Sequence, residues 1–530
     1  MPILAGWLTG EQVPQEIIEQ TLLAMGTVLG QHGGQPAHTI HPGAGLIAFS
    51  DTAYAMQQDD EPPVLDWVPD RRTLVYRRPL SGIHPLYYIE NWPDQGNLLF
   101  ASEIKALFAV GVPRRLHLAS LDTLLRYGLI PAPWTAFEEI KSVPAGWILR
   151  WQRAKTVLNQ ATDYHLDEPI TPLGTLDQLE ASLNQATTNM LPSHEQLVTL
   201  TGGSLPSALS TILTAQHTTT PFTIASFGYT KSRTAKLWRT VEEIATACQR
   251  PLLTITGVDQ PEFWTATIAG IEAPSVETRP LALHQLLHTV AAETETRVAI
   301  SGLGASILLN ATTQRQKEQA SEGQEQQDIL DCYGQTLRMS RGKKHAQIWS
   351  PETQAAIQAA EPWEQSLHAR KLARRAAQFA ERAEGWHYLD LHLRLPDLAV
   401  QTAHQLATQE RMVVRSPYLN THITDMLTRL PAVIDGETRK ETLIAQLVQR
   451  HFPKMTSVPA KLPLTVPSTP LLYEGASDLL QQTLSAEAIQ TTGIFDWQAV
   501  QALIKQGEVS RELLLVFTTQ LLCRLFSVEV

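Results

Sequence analysis

Two segments of the same design constrain the fold of this chain more than any other feature. One runs from Leu197 to Ser207 and the other from Val298 to Leu308. In each, a short apolar run ends in a hydroxyl residue and a glycine, and a helical pattern begins directly afterwards. Strands that lead through a glycine turn into a helix are typical of βαβ units, which form parallel sheets. Because ligands of open α/β sheets bind at the carboxyl ends of the strands, both turns are predicted to lie at a binding edge.

The residues of these turns suit a phosphate group. Glycines let backbone amides approach phosphate oxygens, and a helix N-terminus supplies positive potential. The candidate phosphate-binding residues are Thr201, Gly202, Gly203 and Ser207 in the first turn, and Ser301, Gly302 and Gly304 in the second. A working nucleotide site of this kind also needs carboxylates to hold Mg²⁺. The corresponding positions hold Leu303, Ser306 and Ile307, so the second turn taken alone indicates no more than a glycine-rich strand-to-helix connection.

Taken together, the two turns resemble the paired motifs of the asparagine synthetase family. In that family a Ser-Gly-Gly-Leu-Asp-Ser-Ser loop grips the ATP pyrophosphate, and a Ser-Gly-Asp-Gly-Ala-Asp-Glu-Leu loop follows it. The matching residues are Thr201, Gly202, Gly203 and Ser207 in the first loop, and Ser301, Gly302, Gly304, Ala305 and Leu308 in the second. The acidic residues do not match. Leu205 replaces a metal-binding aspartate, Pro206 replaces a serine, and Leu303, Ser306 and Ile307 replace two aspartates and a glutamate.

Other segments follow in the family order and make the resemblance specific. Residues 81–88 (SGIHPLYY) are similar to the family's FGIKPLYY, and residues 100–107 (FASEIKAL) match the family segment at every position. Residues 125–131 (LRYGLIP) and 137–146 continue the order, and residues 415–420 (RSPYLN) are similar to RSPFLD. The chain is therefore identified as a strongly divergent member of the glutamine-hydrolysing asparagine synthetases.

The resemblance implies two folded units. Residues 1–155 are expected to form a degenerate glutaminase-like domain of the class II amidotransferase type, an α+β layered sandwich that lacks part of the N-terminal nucleophile hydrolase fold. Residues 156–176, which contain several prolines and aspartates, are predicted to be a linker. Residues 177–530 are expected to form the asparagine synthase-like domain, a doubly wound parallel sheet with a helical C-terminal part. Within it, residues 311–345 are rich in Gln, Glu and Lys and are predicted to be an exposed helix or mobile insertion.

The glutaminase centre of the family lacks its essential groups here. The family nucleophile is a cysteine directly after the initiator methionine, and its chemistry needs a thiol, a base and an oxyanion hole. Pro2 occupies that position and carries no thiol. The family's Asn-Gly-Glu segment is also missing between Asp51 and Thr73. Glutamine hydrolysis by the family mechanism is therefore not expected.

The synthetase centre is altered in the same way. The family carries Lys, Asp, Arg, Ser and Glu at fixed offsets where this chain holds Thr402, His404, Gln405, Ala407 and Val413. Lys461 is the one candidate for a surviving catalytic lysine, although a solvated loop lysine is the simpler interpretation. Adenylation needs roughly 10 kcal/mol or more of transition-state stabilisation, drawn largely from metal ions and cationic groups. We therefore expect no catalytic residue, no bound metal and no cofactor, with ATP and Mg²⁺ required only if the site has been rebuilt.

Isolated candidates for other chemistry have simpler structural interpretations. His84 and His404 are potential proton carriers but more often such histidines are structural. His284 and His288 lie one helical turn apart, a zinc-compatible spacing, yet Gln285 stands where the catalytic glutamate of that motif would be. Cys248 is predicted to be a core residue, and the acidic run 59–61 an exposed loop.

Composition excludes several classes of protein. The net charge of −11 and the absence of a dense Lys/Arg run argue against nucleic-acid binding. Three widely spaced cysteines indicate neither a disulfide framework nor a zinc site, and the chain begins without a signal-peptide pattern, so we expect a cytoplasmic protein. The apolar stretch 513–526 is too short to span a membrane and is predicted to be a buried terminal helix.

Three functions remain open from the sequence. The first is a catalytically inactive member of the family that acts as a binding, assembly or regulatory subunit, with another protein or a second copy of the chain as partner. The second is an ATP-dependent amide-forming ligase with a rebuilt site. The third is a nucleotide sensor that uses the glycine turns without a metal ion.

Overall fold

The computed structural model describes residues 3–50, 64–168, 175–192, 196–202, 204–227, 235–255, 261–309, 328–337, 348–430, 433–434, 438–453, 472–473 and 475–529. The account below concerns these residues. None of the helices they form combines the length and the apolar character needed to cross a membrane.

Two antiparallel sheets form the N-terminal part. Their strands are β1 (Ile3–Leu8), β2 (Gln35–His41), β3 (Ala44–Ser50), β4 (Val64–Val68), β5 (Thr73–Arg77), β6 (Tyr87–Glu90), β7 (Leu98–Ala101), β8 (Lys141–Ser142), β9 (Trp147–Gln152) and β10 (Lys155–Gln160). The first sheet has the order β2-β3-β1-β7-β6-β8 and the second the order β10-β9-β5-β4. This arrangement agrees with the predicted layered sandwich.

Alternation along the strands explains how the layers pack. In β1, Leu4 and Leu8 join a core between the two sheets, while Ile3 and Trp7 face the other way. That outer face is covered by the helix Gln15–Leu29, whose buried side chains belong to the same cluster as Ile3 and Trp7. The helix lies so close to the sheet that a Cβ atom on Gly45 would come within 2.3 Å of Ile18 Cγ2. The central strands β1 and β7 of the first sheet are therefore buried on both faces, whereas the edge strand β2 is largely exposed.

A five-stranded parallel sheet forms the centre of the second part. Its strands are β11 (Leu197–Leu200), β12 (Phe222–Phe227), β13 (Leu252–Ile255), β14 (Val298–Ser301) and β15 (Val413–Arg415), in the order β13-β12-β11-β14-β15. Helices cover both faces, so consecutive residues of β11 and β14 are buried rather than alternating between buried and exposed. The strand order reverses between β11 and β14, which places both glycine turns at the topological switch point.

Helices form most of the remainder. In the first part and around the parallel sheet they are Ile104–Phe108, Leu118–Tyr127, Thr175–Met190, Leu205–His217, Ala235–Cys248, Glu262–Ile271, Arg279–Thr294 and Ala305–Leu308. Further along they are Ile329–Leu337, Pro351–Ala359, Leu367–Ala376, Arg382–Leu389, Gln401–Gln409, Thr421–Arg429, Lys440–His451, Ser477–Thr483, Ala486–Thr492, Trp497–Lys505 and Arg511–Phe526. A wide π-type helix, Asp390–Val400, connects two of them and contains Pro396. A short hairpin of β16 (Val433–Ile434) and β17 (Thr438–Arg439) completes the elements.

One predicted feature needs correction. The interpretation of residues 311–345 as an exposed insertion is wrong for the helix Ile329–Leu337. Leu330, Cys332 and Tyr333 of this helix are at most 2% exposed and pack in a cluster with Trp363 and Trp386. The polar residues on either side of this short apolar run hid it in the sequence. Most of the remaining insertion lies outside the described residues.

Candidate functional site

The first glycine turn connects β11 to the helix Leu205–His217. The amide of Thr201 extends the sheet by donating to Ala225 O at 3.0 Å. Three hydroxyl groups then meet at the start of the helix. Ser207 Oγ lies 3.3 Å from Thr201 Oγ1 and 2.9 Å from Ser204 Oγ. Hydrogen bonds between these hydroxyl groups therefore close the turn. Gly203 lies outside the described residues.

The second glycine turn connects β14 to the short helix Ala305–Leu308. Gly304 has a φ of +85°, a left-handed conformation that favours glycine, and precedes the helix. The hydroxyl of Ser301 accepts a hydrogen bond from Leu303 N at 3.3 Å. The carbonyl of Gly302 accepts one from Ala305 N at 3.3 Å. Local polar groups therefore hold this turn in shape.

The two turns are in direct contact. Strands β11 and β14 are parallel neighbours, and their last residues, Leu200 and Ser301, are paired in register. A Cβ atom on Gly302 would lie 2.7 Å from Ser207 N, so only glycine fits between the turns. Ser210 Oγ adds a hydrogen bond to Ser301 O at 3.3 Å. The structure thus brings together the described candidate residues Thr201, Gly202, Ser207, Ser301, Gly302 and Gly304 at one edge of the sheet.

Apolar side chains occupy the positions that carry acids in the family. Leu205 is 8% exposed and belongs to the core cluster on this face of the sheet, and Leu303 and Ile307 are half-buried against the same cluster. Ser306 is exposed. Leu395 from the π-type helix is buried in this cluster, and Leu419 packs on its margin. We call these five side chains (Leu205, Leu303, Ile307, Leu395 and Leu419) the apolar seam.

Backbone contacts fix the segments that form the apolar seam. Ser416 Oγ donates to Leu303 O at 2.7 Å, and Tyr418 OH donates to Pro206 O at 3.2 Å. The ring Nε2 of His387 lies 3.0 Å from Ile307 O. The segment that follows β15 is therefore hydrogen-bonded to both glycine turns. The helix Arg382–Leu389, which contains His387, is hydrogen-bonded to the helix after the second turn.

The residues of this site do not fit a magnesium ion. Mg²⁺ is held in proteins by carboxylate oxygens, substrate phosphates and water. The family's acidic positions hold leucine and isoleucine side chains and the hydroxyl of Ser306, and aliphatic side chains offer no ligand atom. Among the residues that the structure describes, no group of three or more His, Cys, Asp or Glu side chains is placed to hold any metal ion.

Open space remains beside the first turn. A Cβ atom on Gly202 would meet no atom of the described residues within 4 Å. The turn stands at the N-terminus of a 13-residue helix, which carries positive potential. Chemically, this edge retains amides, hydroxyl groups and a helix dipole, which are groups that attract an anion without a metal.

A small cavity lies beside the start of β1. Pro2 lies outside the described residues, and β1 begins beside it with Ile3. The cavity next to Ile3, His84 and Glu103 measures only about 30 Å³, whereas a single water needs roughly 10–15 Å³. Gly270 closes one side, because a Cβ atom there would come within 2.7 Å of Gln409 Cδ.

The predicted histidine candidates have structural partners. The rings of His84 and His404 are in edge contact with centroids 5.0 Å apart, and burial holds the pKa of His84 well below its usual range. His284 is 1% exposed and lies 2.9 Å from Thr267 Oγ1 and 3.0 Å from Glu410 Oε1. His288 Nδ1 binds the other oxygen of Glu410 at 3.1 Å. This pair therefore holds a carboxylate on the end of a neighbouring helix.

Three further candidates complete the comparison with the sequence. Cys248 is half-buried at the end of a helix, and burial raises the pKa of its thiol to about 11. Lys461 and the acidic run 59–61 lie outside the described residues, so both interpretations stay predictions.

The sequence did not reveal a buried ion pair that joins the two parts of the chain. Arg78 is fully buried at the end of β5, and its Nη1 donates to Asp397 Oδ1 at 3.3 Å and to Val143 O at 2.9 Å. Its Nη2 donates to Gln401 Oε1 at 3.0 Å, and Asp397 Oδ2 accepts from Ala132 N at 3.0 Å. No pattern in the neighbouring sequence indicates that Arg78 is buried. Its burial could therefore not be predicted from the sequence.

A second buried contact between the two parts uses Glu272. This residue ends the helix Glu262–Ile271 with a φ of +53° and is 1% exposed. Its carboxylate accepts hydrogen bonds from Ile104 N and Lys105 N, both at 2.8 Å, at the start of the helix Ile104–Phe108. Burial raises the pKa of Glu272 to about 7. Together with Arg78 and Asp397, it connects the sandwich rigidly to the parallel-sheet unit.

Comparison with known proteins agrees with this architecture. Residues 65–164 match the family model described as a glutamine amidotransferase domain, and residues 178–524 match the model described as asparagine synthase. One similar solved structure is that of NMN synthetase from Francisella tularensis, at 14% identity and a TM-score of 0.21, covering 43% of this chain and 98% of that one. No curated protein matches the sequence as a relative. Because the second family model spans more than half of the residues, the chain belongs to the asparagine synthase family.

Proposed function

We propose that this chain is a catalytically inactive member of the asparagine synthase family that acts as a binding, assembly or regulatory subunit. The apolar seam is the observation that carries the proposal. Leu205, Leu303 and Ile307 take the positions of metal-binding acids. Leu205 is buried in the core cluster of this face, and Leu303 and Ile307 are half-buried against it. A phosphoryl or adenylyl transfer depends on metal ions and cationic groups that this edge does not offer.

The magnitude of the loss supports inactivity over a rebuilt ligase. Removal of one electrostatic donor from an active site commonly costs about a hundredfold or more in rate. Several acidic positions have changed at once, together with the offsets now held by Thr402, His404 and Gln405. Backbone amides of two glycine turns are too few to replace them.

The retained contacts support a role for the surfaces. The segment 100–107 matches the family at every position, and Arg78 and Glu272 connect the two parts of the chain through buried hydrogen bonds. A rigid two-part body without a working centre is suited to presenting surfaces to another protein or to a second copy of itself.

A metal-independent nucleotide sensor is the second candidate. The open space beside Gly202, with Ser204 and Ser207 at a helix N-terminus, favours weak binding of a phosphate group. In that case Mg²⁺ would weaken or leave unchanged the binding of ATP, because free ATP carries more negative charge and Leu205, Leu303, Ser306 and Ile307 offer no carboxylate to hold the ion.

Titration calorimetry with ATP, with and without Mg²⁺, separates these functions when combined with an assay of pyrophosphate release. The proposal predicts no heat of binding and no pyrophosphate release with any amine or amino-acid acceptor. Metal-independent binding without turnover would replace it with the sensor. Pyrophosphate release that depends on Mg²⁺ and an acceptor would replace it with the ligase.

A further inference from the structure

The helix Leu367–Ala376 presents a basic face to solvent, although the net charge of the chain is −11. Residues three or four positions apart share one face of a helix. Leu367, Arg370 and Arg374 are exposed at this spacing, and Lys371 is half-buried beside them. We call these four side chains the basic stripe.

The opposite side of the helix is fixed in the core. Ala369, Leu372 and Ala376 are buried in the cluster that contains Trp363. Ser366 Oγ caps the helix by accepting a hydrogen bond from Ala369 N at 3.1 Å. The basic stripe therefore stands on a rigid element, and a partner would not need to order it first.

The cations of the basic stripe have no carboxylate partner. Neither Arg370 nor Arg374 forms a hydrogen bond or an ion pair with a residue that the structure describes. Lys371 Nζ lies 4.6 Å from the ring centroid of Trp147, a cation–π contact that supplies no counter-charge. The stripe thus carries three cations that are available to an acidic partner.

The stability of the helix does not account for these residues. Arg370 and Arg374 lie one turn apart on an exposed face, and like charges at this spacing destabilise a helix. The helix dipole favours cations in the last turn, where Arg374 and Arg375 lie, but not Arg370 nearer the N-terminus. Of these, Arg375 has its own counter-ion, because its Nη2 donates to Asp167 Oδ1 at 2.6 Å. A partner that supplies carboxylates would relieve the repulsion between the other two.

We propose that the basic stripe binds an acidic helix of a partner protein. Two carboxylates one turn apart on the partner pair with Arg370 and Arg374, since a guanidinium group binds carboxylates in a two-pronged geometry. An apolar side chain next to them covers Leu367, which at 59% is the most exposed large hydrophobic side chain of the described residues. The inference rests on the proposed function, because it names the kind of partner that a binding subunit would engage.

An acidic protein fits this surface better than a nucleic acid or a lipid. Nucleic-acid binding depends on the neutralisation of many phosphates, and a net charge of −11 repels the phosphate backbone. A helix that lies in a membrane surface inserts its apolar face between the lipids. The apolar face of this helix is already buried in the protein.

Binding of a synthetic helical peptide to the full chain tests the proposal. The peptide repeats a leucine with glutamates three and seven residues after it, and lysines on its opposite face bring its net charge close to zero. A counterpart of the same composition has the glutamates and lysines exchanged. By fluorescence anisotropy the first peptide is expected to bind saturably, and more weakly as the salt concentration rises. The exchanged peptide is expected to bind at least about tenfold more weakly.

Two variants and a matched control locate the binding. Arg370→Glu combined with Arg374→Glu is expected to weaken peptide binding at least about tenfold, and Leu367→Ser about threefold. Arg150→Glu combined with Arg153→Glu is the control, because these arginines are exposed on the hairpin of β9 and β10 and the change in net charge is the same. The control is expected to bind within about twofold of the wild-type chain. All the substituted side chains are exposed, so equal melting temperatures are expected and confirm that the variants are folded.

The proposal is overturned if the peptide does not bind the wild-type chain saturably, if the exchanged peptide binds equally well, or if the stripe variant and the control bind alike. Displacement of the peptide by duplex DNA or by phosphatidylserine vesicles would also overturn it, and would assign the stripe to nucleic acid or to lipid. None of these measurements involves ATP, so their failure leaves the proposed inactivity as it stands. Pyrophosphate release with intact peptide binding would overturn the inactivity alone.

Discussion

Gly304 is in contact with Leu419, because a Cβ atom on Gly304 would lie 2.7 Å from Leu419 Cδ2. On the other side the same Cβ atom would lie 3.1 Å from Leu395 Cδ1. The second glycine turn is therefore enclosed by two leucines that approach it from separate segments. In a phosphate-binding turn the glycine would leave room for a ligand, whereas here it leaves room for the apolar seam.

Gly304→Ala is predicted to destabilise the fold by about 2–5 kcal/mol. The φ of +85° costs an L-residue roughly 1–2 kcal/mol, and overpacking against Leu419 adds about 1–3 kcal/mol. Gly507→Ala is the matched control, because Gly507 has a φ of +67° but no atom within 4 Å of its Cβ position. Denaturant unfolding of both variants gives the comparison, and equal losses would show that Leu419 does not press on the turn.

The turns were predictable because their chemistry is local. Glycine between an apolar strand and a helical pattern commonly indicates a strand-to-helix turn of a parallel sheet. The register of β11 with β14 confirms that both turns lie at the same edge of the sheet. The terminal helix was equally clear, since 513–526 is apolar apart from Thr518, Thr519, Gln520 and Arg524, and most residues of the helix Arg511–Phe526 are buried in the core. Fold class followed from such segments.

The contacts that close the site were not predictable. Leu419 was visible only as part of the family segment 415–420, and nothing in the sequence around Leu395 or Leu419 indicates that they would meet at Gly304. Arg78 and Asp397 are separated by most of the chain, so their pairing is a tertiary fact without a local pattern. The burial of the helix Ile329–Leu337 was missed because the polar residues on either side of it diluted its apolar face. Each of these contacts joins segments that are far apart in the chain, and the sequence of either segment alone does not indicate the other.

Asp397→Ala is predicted to cost about 3–5 kcal/mol, because it leaves the fully buried guanidinium of Arg78 without its counter-ion. Burial raises the pKa of Asp397, and the charge of Arg78 opposes that rise. Glu90→Ala provides the control, since Glu90 pairs with Lys141 at the surface, where such pairs contribute about 0–1 kcal/mol. Chemical denaturation measures both, and a small loss for Asp397→Ala would refute a structural role for the pair.

His368→Phe is predicted to stabilise the protein in acid. His368 is 3% exposed between Trp147 and Trp363, and neither ring nitrogen has a hydrogen-bond partner among the described residues. Burial lowers its pKa to about 3, so the unfolded chain binds a proton that the folded chain does not. Stability from this group is present above pH 6.5 and is lost as the pH falls towards 3, at most about 1.4 kcal/mol per pH unit.

Unfolding free energies of wild type and His368→Phe should therefore diverge below pH 6.5. The control is His38→Phe, because His38 is exposed on an edge strand. If His368→Phe and wild type show parallel pH profiles, His368 is protonated or solvated in the fold and its burial is not as described.

The most direct test of the central claim is to restore the acids of the family at the glycine turns. The variant combines Leu205→Asp, Leu303→Asp, Ser306→Asp and Ile307→Glu. A buried carboxylate without a partner costs about 3 kcal/mol or more, so the account predicts a large fall in melting temperature and no ATP turnover. Ser306→Asp alone should leave the melting temperature unchanged, because Ser306 is exposed. An unchanged melting temperature of the combined variant together with Mg²⁺-dependent pyrophosphate release would contradict the account, since it would mean that the nucleotide pocket is still open.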